Sequence, residues 1–243
     1  MNAFLTSVRD TLVPGRQGKH GPLPPLLVSM TLVTGLVDAF SYLVLGHVFV
    51  ANMTGNVVLL GFAIAGAPGF SVTASTTALV AFFAGALIGG RLGTWHGAHR
   101  GRLHSSAAGI QAIFLAASVI FAALGGNPVT AGYRYALIVA LAVAMGIQNA
   151  AVRKLAVPDL TTTVLTLTIA GMAADSALAG GPGSQAGRRL IAVVTMLAGA
   201  LIGAVLVRHD LGSYALAIGL VTIAVGGVAS YVMSRPDPAW VRG

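Results

Sequence analysis

Six apolar stretches of about 20 residues dominate the chain, and about 20 residues is the length a helix needs to cross a bilayer. They occupy residues 26–45, 74–94, 105–124, 133–152, 190–207 and 213–233. Inside hydrocarbon every backbone polar group must be paired within the segment, so each run is read as an α-helix. Only 8% of the 243 residues are charged while 56% are hydrophobic, which leaves too little charged surface for a domain facing water. The expected fold is an all-α polytopic transmembrane bundle whose partner is the lipid bilayer.

Two shorter apolar runs, 54–66 and 160–174, follow polar or Pro-containing sequence. The chain therefore has either eight spans or six spans plus two short or broken helices. Basic residues mark loops on the cytoplasmic side, and they favour the second arrangement. With the N-terminal tail inside and the short runs dipping in and returning, Arg91, Arg100, Arg102, Arg153, Lys154, Arg188, Arg189, Arg235 and Arg242 all fall inside. Only Arg134 and Arg208 fall outside. Both termini are then cytoplasmic, in a bacterial cytoplasmic membrane. The tail, residues 1–25, lacks a continuous apolar region before a small-residue cleavage site and is expected not to be a cleaved signal peptide.

The chain also repeats itself. "AGALIG" occurs at 84–89 and again at 198–203; "GLVDA" at 35–39 has a counterpart in "GIQNA" at 146–150, and "TGNVVLL" at 54–60 a weaker one in "TTTVLTL" at 161–167. The three offsets cluster near about 110 residues and keep the same order, as an internal duplication requires. The units are read as a first membrane repeat at 26–124, a linker at 125–132, a second repeat at 133–233 and a C-terminal tail at 234–243. Three full spans per half is an odd number, so the halves are expected to enter the membrane in opposite senses, as inverted-topology repeats.

Polar residues inside apolar sequence carry the functional reading. In "ANMTGN", Asn52 or Thr54 is expected to cap a partial helix starting near Val57, with Gly55 allowing an unusual backbone angle and Asn56 following. In "VPDLTTT", Pro158 interrupts the backbone, and Asp159 or Thr161 is the corresponding cap, followed by Thr162. Helix N-termini present unpaired N–H groups and about half a unit of positive charge, which suits an anion or a carbonyl. The alternative for both segments is an ordinary capped loop at the membrane surface. Asp38 lies about twelve residues into the first span, near mid-membrane by the rise of a helix. A carboxylate there needs protein or water around it. It is read as a coupling group for a proton or cation, or else as a structural acid bonded to Thr34, Ser41 or Asn149. Gln148 and Asn149 are its polar complement in the second repeat.

Other classes find less support. The formal charge of +8 sits between spans, not on a basic face with interleaved aromatics, so no nucleic-acid partner is expected. The chain has no cysteine and no glutamate, which rules out disulfides and thiolate metal sites. His96, His99 and His104 lack a nearby carboxylate and are read as a solvated basic loop, so no metal or other cofactor is expected. No nucleophile–His set, His-Glu-x-x-His run or phosphate loop is present, so the chain is not expected to be an enzyme. The Gly-x-x-x-Gly spacings at Gly85–Gly89, Gly89–Gly93 and Gly199–Gly203 imply close helix packing within the chain or in a homo-oligomer.

"GLVDAFSYLVLGHVFVANMTGN" at 35–56 with the following "VVLLG", and "GIQNAAVRKL" at 146–155, resemble the YoaK family of bacterial membrane proteins of unknown function. The resemblance covers residues 26–233, and Asp38, Thr54, Gly55 and Asn56 match its pattern. It implies a bacterial integral membrane protein and no particular substrate. The physical reading is a secondary transporter or channel for a small solute, with a small anion or organic acid preferred and the site at the repeat interface. The alternative is a membrane assembly or accessory protein without transport activity.

Overall fold

The computed structural model describes residues 2–13, 19–157, 165–176, 179–180, 186–235 and 238–242. The helices in order are α1 (Asn2–Leu12), α2 (Leu23–Val44), α3 (Met53–Ile64), α4 (Val72–Trp95), α5 (Arg100–Leu124), α6 (Ala131–Leu155), α7 (Leu165–Ala174), α8 (Ala186–Arg208) and α9 (Gly212–Ser234). Six of these, α2, α4, α5, α6, α8 and α9, are long and apolar enough to cross a membrane; α3 and α7 are too short. Among the described residues the chain is thus a helical bundle of six spans plus two partial helices.

Helix boundaries follow local chemistry. Pro24 and Pro25 sit in the first turn of α2, so that helix begins at Leu23, three residues before its apolar run; a missing N–H costs nothing there. Ser71 caps α4 by accepting the N–H of Ala74. The N-terminal tail, which reads as merely polar, contains α1. This helix packs on α8, and Arg188 Nε donates to the buried Thr11 hydroxyl at 3.3 Å.

Packing interleaves the two halves. The first helix of each half leaves its own half: α2 lies against α8 and α9, while α6 lies against α4 and α5. Helices α5 and α9 join the two groups, α3 rests on α4, and α7 rests on α8. The enclosed helices are α2 and α6; the other four spans bury a stripe and present the rest of their surface outward.

Glycines set the closest crossings, and the two crossings match. A Cβ on Gly35 would stand 2.7 Å from the backbone N of Ala200, and one on Gly146 2.8 Å from that of Ala86. Likewise a Cβ on Gly89 would meet Ile147 O at 2.7 Å, and one on Gly203 would meet Leu36 O at 2.9 Å. Each contact recurs one repeat later, between corresponding atoms. The Gly-x-x-x-Gly faces of Gly85, Gly89, Gly199 and Gly203 are therefore occupied by helices of the same chain. Small residues give membrane helices the van der Waals contact that replaces a hydrophobic drive.

Candidate functional site

The irregular segment between α2 and α3 is pinned from two sides. Asn56 is fully buried; its Oδ1 accepts the N–H of Phe49 at 2.9 Å and its Nδ2 donates to Phe49 O at 2.5 Å. From α2, Asp38 Oδ1 accepts the N–H groups of Val50 at 3.1 Å and Ala51 at 2.8 Å. Buried backbone polar groups need partners, and these two side chains supply them for Phe49, Val50 and Ala51. Asn52 then caps α3, its Oδ1 accepting the N–H of Gly55 at 3.1 Å.

Three sequence expectations are corrected here. The helix starts at Met53, not near Val57, because Asn52 rather than Thr54 is the cap. Gly55 keeps ordinary negative-φ backbone. Its role is steric: a Cβ would come within 2.9 Å of the Phe49 ring. The side chains expected around the Asp38 carboxylate bond elsewhere. Thr34 donates to Met30 O, Ser41 to the backbone carbonyl of Asp38, and Asn149 to Met145 O.

Asp38, Asn52, Thr54, Gly55 and Asn149 line one cavity of about 290 Å³, completed by Thr34, Ala51, Val58, Leu165, Thr166 and Met196. Five elements meet there: α2, the start of α3, α6, the start of α7 and α8. Asp38 is 5% exposed, so the carboxylate belongs to the cavity wall and not to bulk solvent.

The other expected site residues separate. Asn56 serves the Phe49 clamp. Gln148 is buried in a polar chain: Gln111 Nε2 donates to Gln148 Oε1 at 2.6 Å, and Gln148 Nε2 donates to Thr34 Oγ1 at 2.9 Å. That chain joins α5, α6 and α2 and ends one helical turn from Asp38. Asp159, Thr161 and Thr162 lie outside the described residues. The sequence reading missed Thr166 and Gln111. A lone glutamine inside an apolar run was the available signal for Gln111, because unpaired polar groups are costly at that depth.

Of the three histidines only His104 departs from a solvated loop; His96 and His99 are partly exposed. His104 is 1% exposed, His99 Nδ1 accepts the N–H of Arg102 to cap α5, and His96 contacts the Ser106 hydroxyl at 2.6 Å. His104 is withdrawn from water because α5 begins at Arg100 and takes it into the helix. Among the described residues no group of three or more His, Cys, Asp or Glu is placed to hold a metal ion.

Comparison with known proteins agrees with the fold. UPF0700 transmembrane protein YoaK of Bacillus subtilis (strain 168) is 38% identical over 155 residues, which is 62% of this chain and 65% of that protein. The aligned part of the chain thus spans just under two thirds of the relative's length. No solved structure matches. The family described as "Protein of unknown function (DUF1275)" matches residues 26–229, and with its six spans the chain is an integral membrane protein belonging to that family.

Proposed function

We propose that the protein is a secondary transporter or channel for a small solute, with the solute site in the cavity at the junction of the two halves. The observation that carries this reading is the meeting, in one cavity, of an intramembrane carboxylate, two amide side chains and the starts of both partial helices. A sealed accessory protein has no need for polar groups around 290 Å³ of space; a solute path needs them. With three full crossings in each half, the halves run in opposite senses, and both termini lie on the cytoplasmic side of a bacterial cytoplasmic membrane. Topology reporters at Met1 and Gly243 test that orientation.

The carboxylate also constrains the solute. Helix starts favour an anion, but an anion about 4 Å from an ionised Asp38 would be repelled by roughly 4 kcal/mol in a partly polar site. A small organic acid or inorganic anion therefore enters together with a proton or cation that neutralises Asp38, and Asp38 is the coupling group. Flux into proteoliposomes of the purified protein tests this. Uptake of a small monocarboxylate driven by an inward proton gradient, and lost in Asp38→Asn, supports the proposal. Absence of any anion or neutral-solute flux, with or without a gradient, removes it.

A further inference from the structure

A second polar cavity, of about 490 Å³, lies at the ends of three spans and away from the solute site. Its charged lining comprises Lys19 and His20 before α2, Arg100 at the start of α5 and Lys154 near the end of α6, with Leu103 and Leu155 among the apolar walls; among the described residues no carboxylate lines it. Arg100 is only 8% exposed. One edge of its guanidinium is occupied, with Nη2 donating to Leu155 O at 2.6 Å and facing His20 Nδ1 at 3.2 Å.

Three permanent cations around one space repel each other, and lysines with free choice extend into water. Lys19 and Lys154, both exposed, share the cavity wall with the buried Arg100. His20 lies in the field of Arg100 and Lys19. Burial holds its imidazole below the ordinary histidine range, and Arg100, Arg188 and Lys19 push the same way. The groups come from the start of α2, the start of α5 and the end of α6, which are span ends on one side of the membrane. That is the level at which lipid headgroups lie, and basic pockets between spans at that level accept them. Arginine supplies a planar fork matched to phosphate oxygens, and lysine a point charge.

We infer that this cavity binds a phosphate-bearing anion, held by the Arg100 guanidinium together with the Lys19 and Lys154 ammonium groups. Phosphate on an anionic lipid and phosphate free in solution share this chemistry, and binding measurements separate them. The purified full chain in neutral detergent is titrated with dihexanoyl phosphatidylglycerol, with inorganic phosphate and with dihexanoyl phosphatidylcholine, following direct binding and thermal stability. We expect saturable binding of the first, no matching response to the third, and about fivefold weaker binding for each of Lys19→Gln and Lys154→Gln. Binding of inorganic phosphate as well, with the same lysine dependence, assigns the site to phosphate in general; binding of the lipid alone assigns it to a headgroup. Arg100→Gln removes a buried hydrogen bond and risks misfolding, so the exposed lysines carry the test. Response to neither phosphate ligand, equal response to phosphatidylcholine, or unchanged affinity in the double lysine variant overturns the inference.

Discussion

Asp38 on α2 accepts the backbone N–H of Ala51, thirteen residues later, at 2.8 Å, so the same carboxylate lines the cavity and holds the approach to α3. Asp38→Asn retains an acceptor oxygen for Val50 and Ala51, whereas Asp38→Ala leaves both buried N–H groups without one. We expect Asp38→Ala to cost about 2–4 kcal/mol of stability, read as a lowered melting temperature in detergent. Asp38→Asn should melt close to the parent protein and lose at least about tenfold of gradient-driven uptake. Equal melting of the two variants would detach Asp38 from the α3 approach.

Glycine substitutions should expose the duplication in the packing. Alanine at Gly35 meets the α8 backbone and alanine at Gly146 meets the α4 backbone at nearly equal distances. Backbone cannot swing aside as a side chain does, so each variant should lose about 1–3 kcal/mol or more, and the two losses should match. Gly61 and Gly90 have nothing within 4 Å of an added Cβ. Alanine at those sites should be neutral or stabilising by about 0.5–1 kcal/mol. Melting of the four variants in one detergent provides the comparison.

The reasons these features were or were not legible in sequence are physical. Six apolar runs fix six spans because hydrocarbon thickness fixes length, and both partial helices stand out because they are too short. That Asp38, Asn52, Thr54, Gly55 and Asn149 share a cavity was foreshadowed by the cost of polar groups at membrane depth. The exchange of α2 and α6 between halves left no periodic trace, since α2 would present the same small and apolar residues to any neighbour. The roles of Gly55 and Asn56 were hidden because both act on Phe49, a residue with nothing polar in its side chain to draw notice. The basic cavity was illegible for a related reason. Its charges lie at three separate span ends that each read as ordinary positive charge, and only the fold brings Lys19 and Lys154 into one cavity.

The buried amide chain should behave as one unit. Gln148 both accepts from Gln111 and donates to Thr34, so Gln148→Leu strands the Gln111 amide and costs more than an average membrane hydrogen bond of about 0.6 kcal/mol. Gln111→Leu alone should cost less, because Gln148 keeps Thr34. Adding Gln111→Leu to Gln148→Leu should recover part of the loss, because the stranded amide is removed. A double-mutant cycle on unfolding in mixed micelles measures this; strictly additive losses would show that the two amides are not coupled.

His20 gives the fold a defined response to acid. It lies before α2 with Nδ1 facing Arg100 Nη2 at 3.2 Å, a contact in which only the neutral imidazole accepts. Burial, followed by Arg100, Arg188 and Lys19, holds its pKa below the value of about 6.5 that it takes in the unfolded chain. The folded protein thus binds this proton less readily than the unfolded one. Its stabilising contribution is complete above the unfolded value and is lost as pH falls through the folded value. Melting temperature should therefore fall as pH drops below about 6.5, and fall less in His20→Gln, which keeps an acceptor for Arg100 but does not titrate. A phosphate anion held by Arg100, Lys19 and Lys154 would cancel much of the field on His20 and raise its proton affinity. Saturating phosphatidylglycerol should then flatten the pH dependence of the parent protein toward that of His20→Gln, while leaving the variant's own profile unchanged.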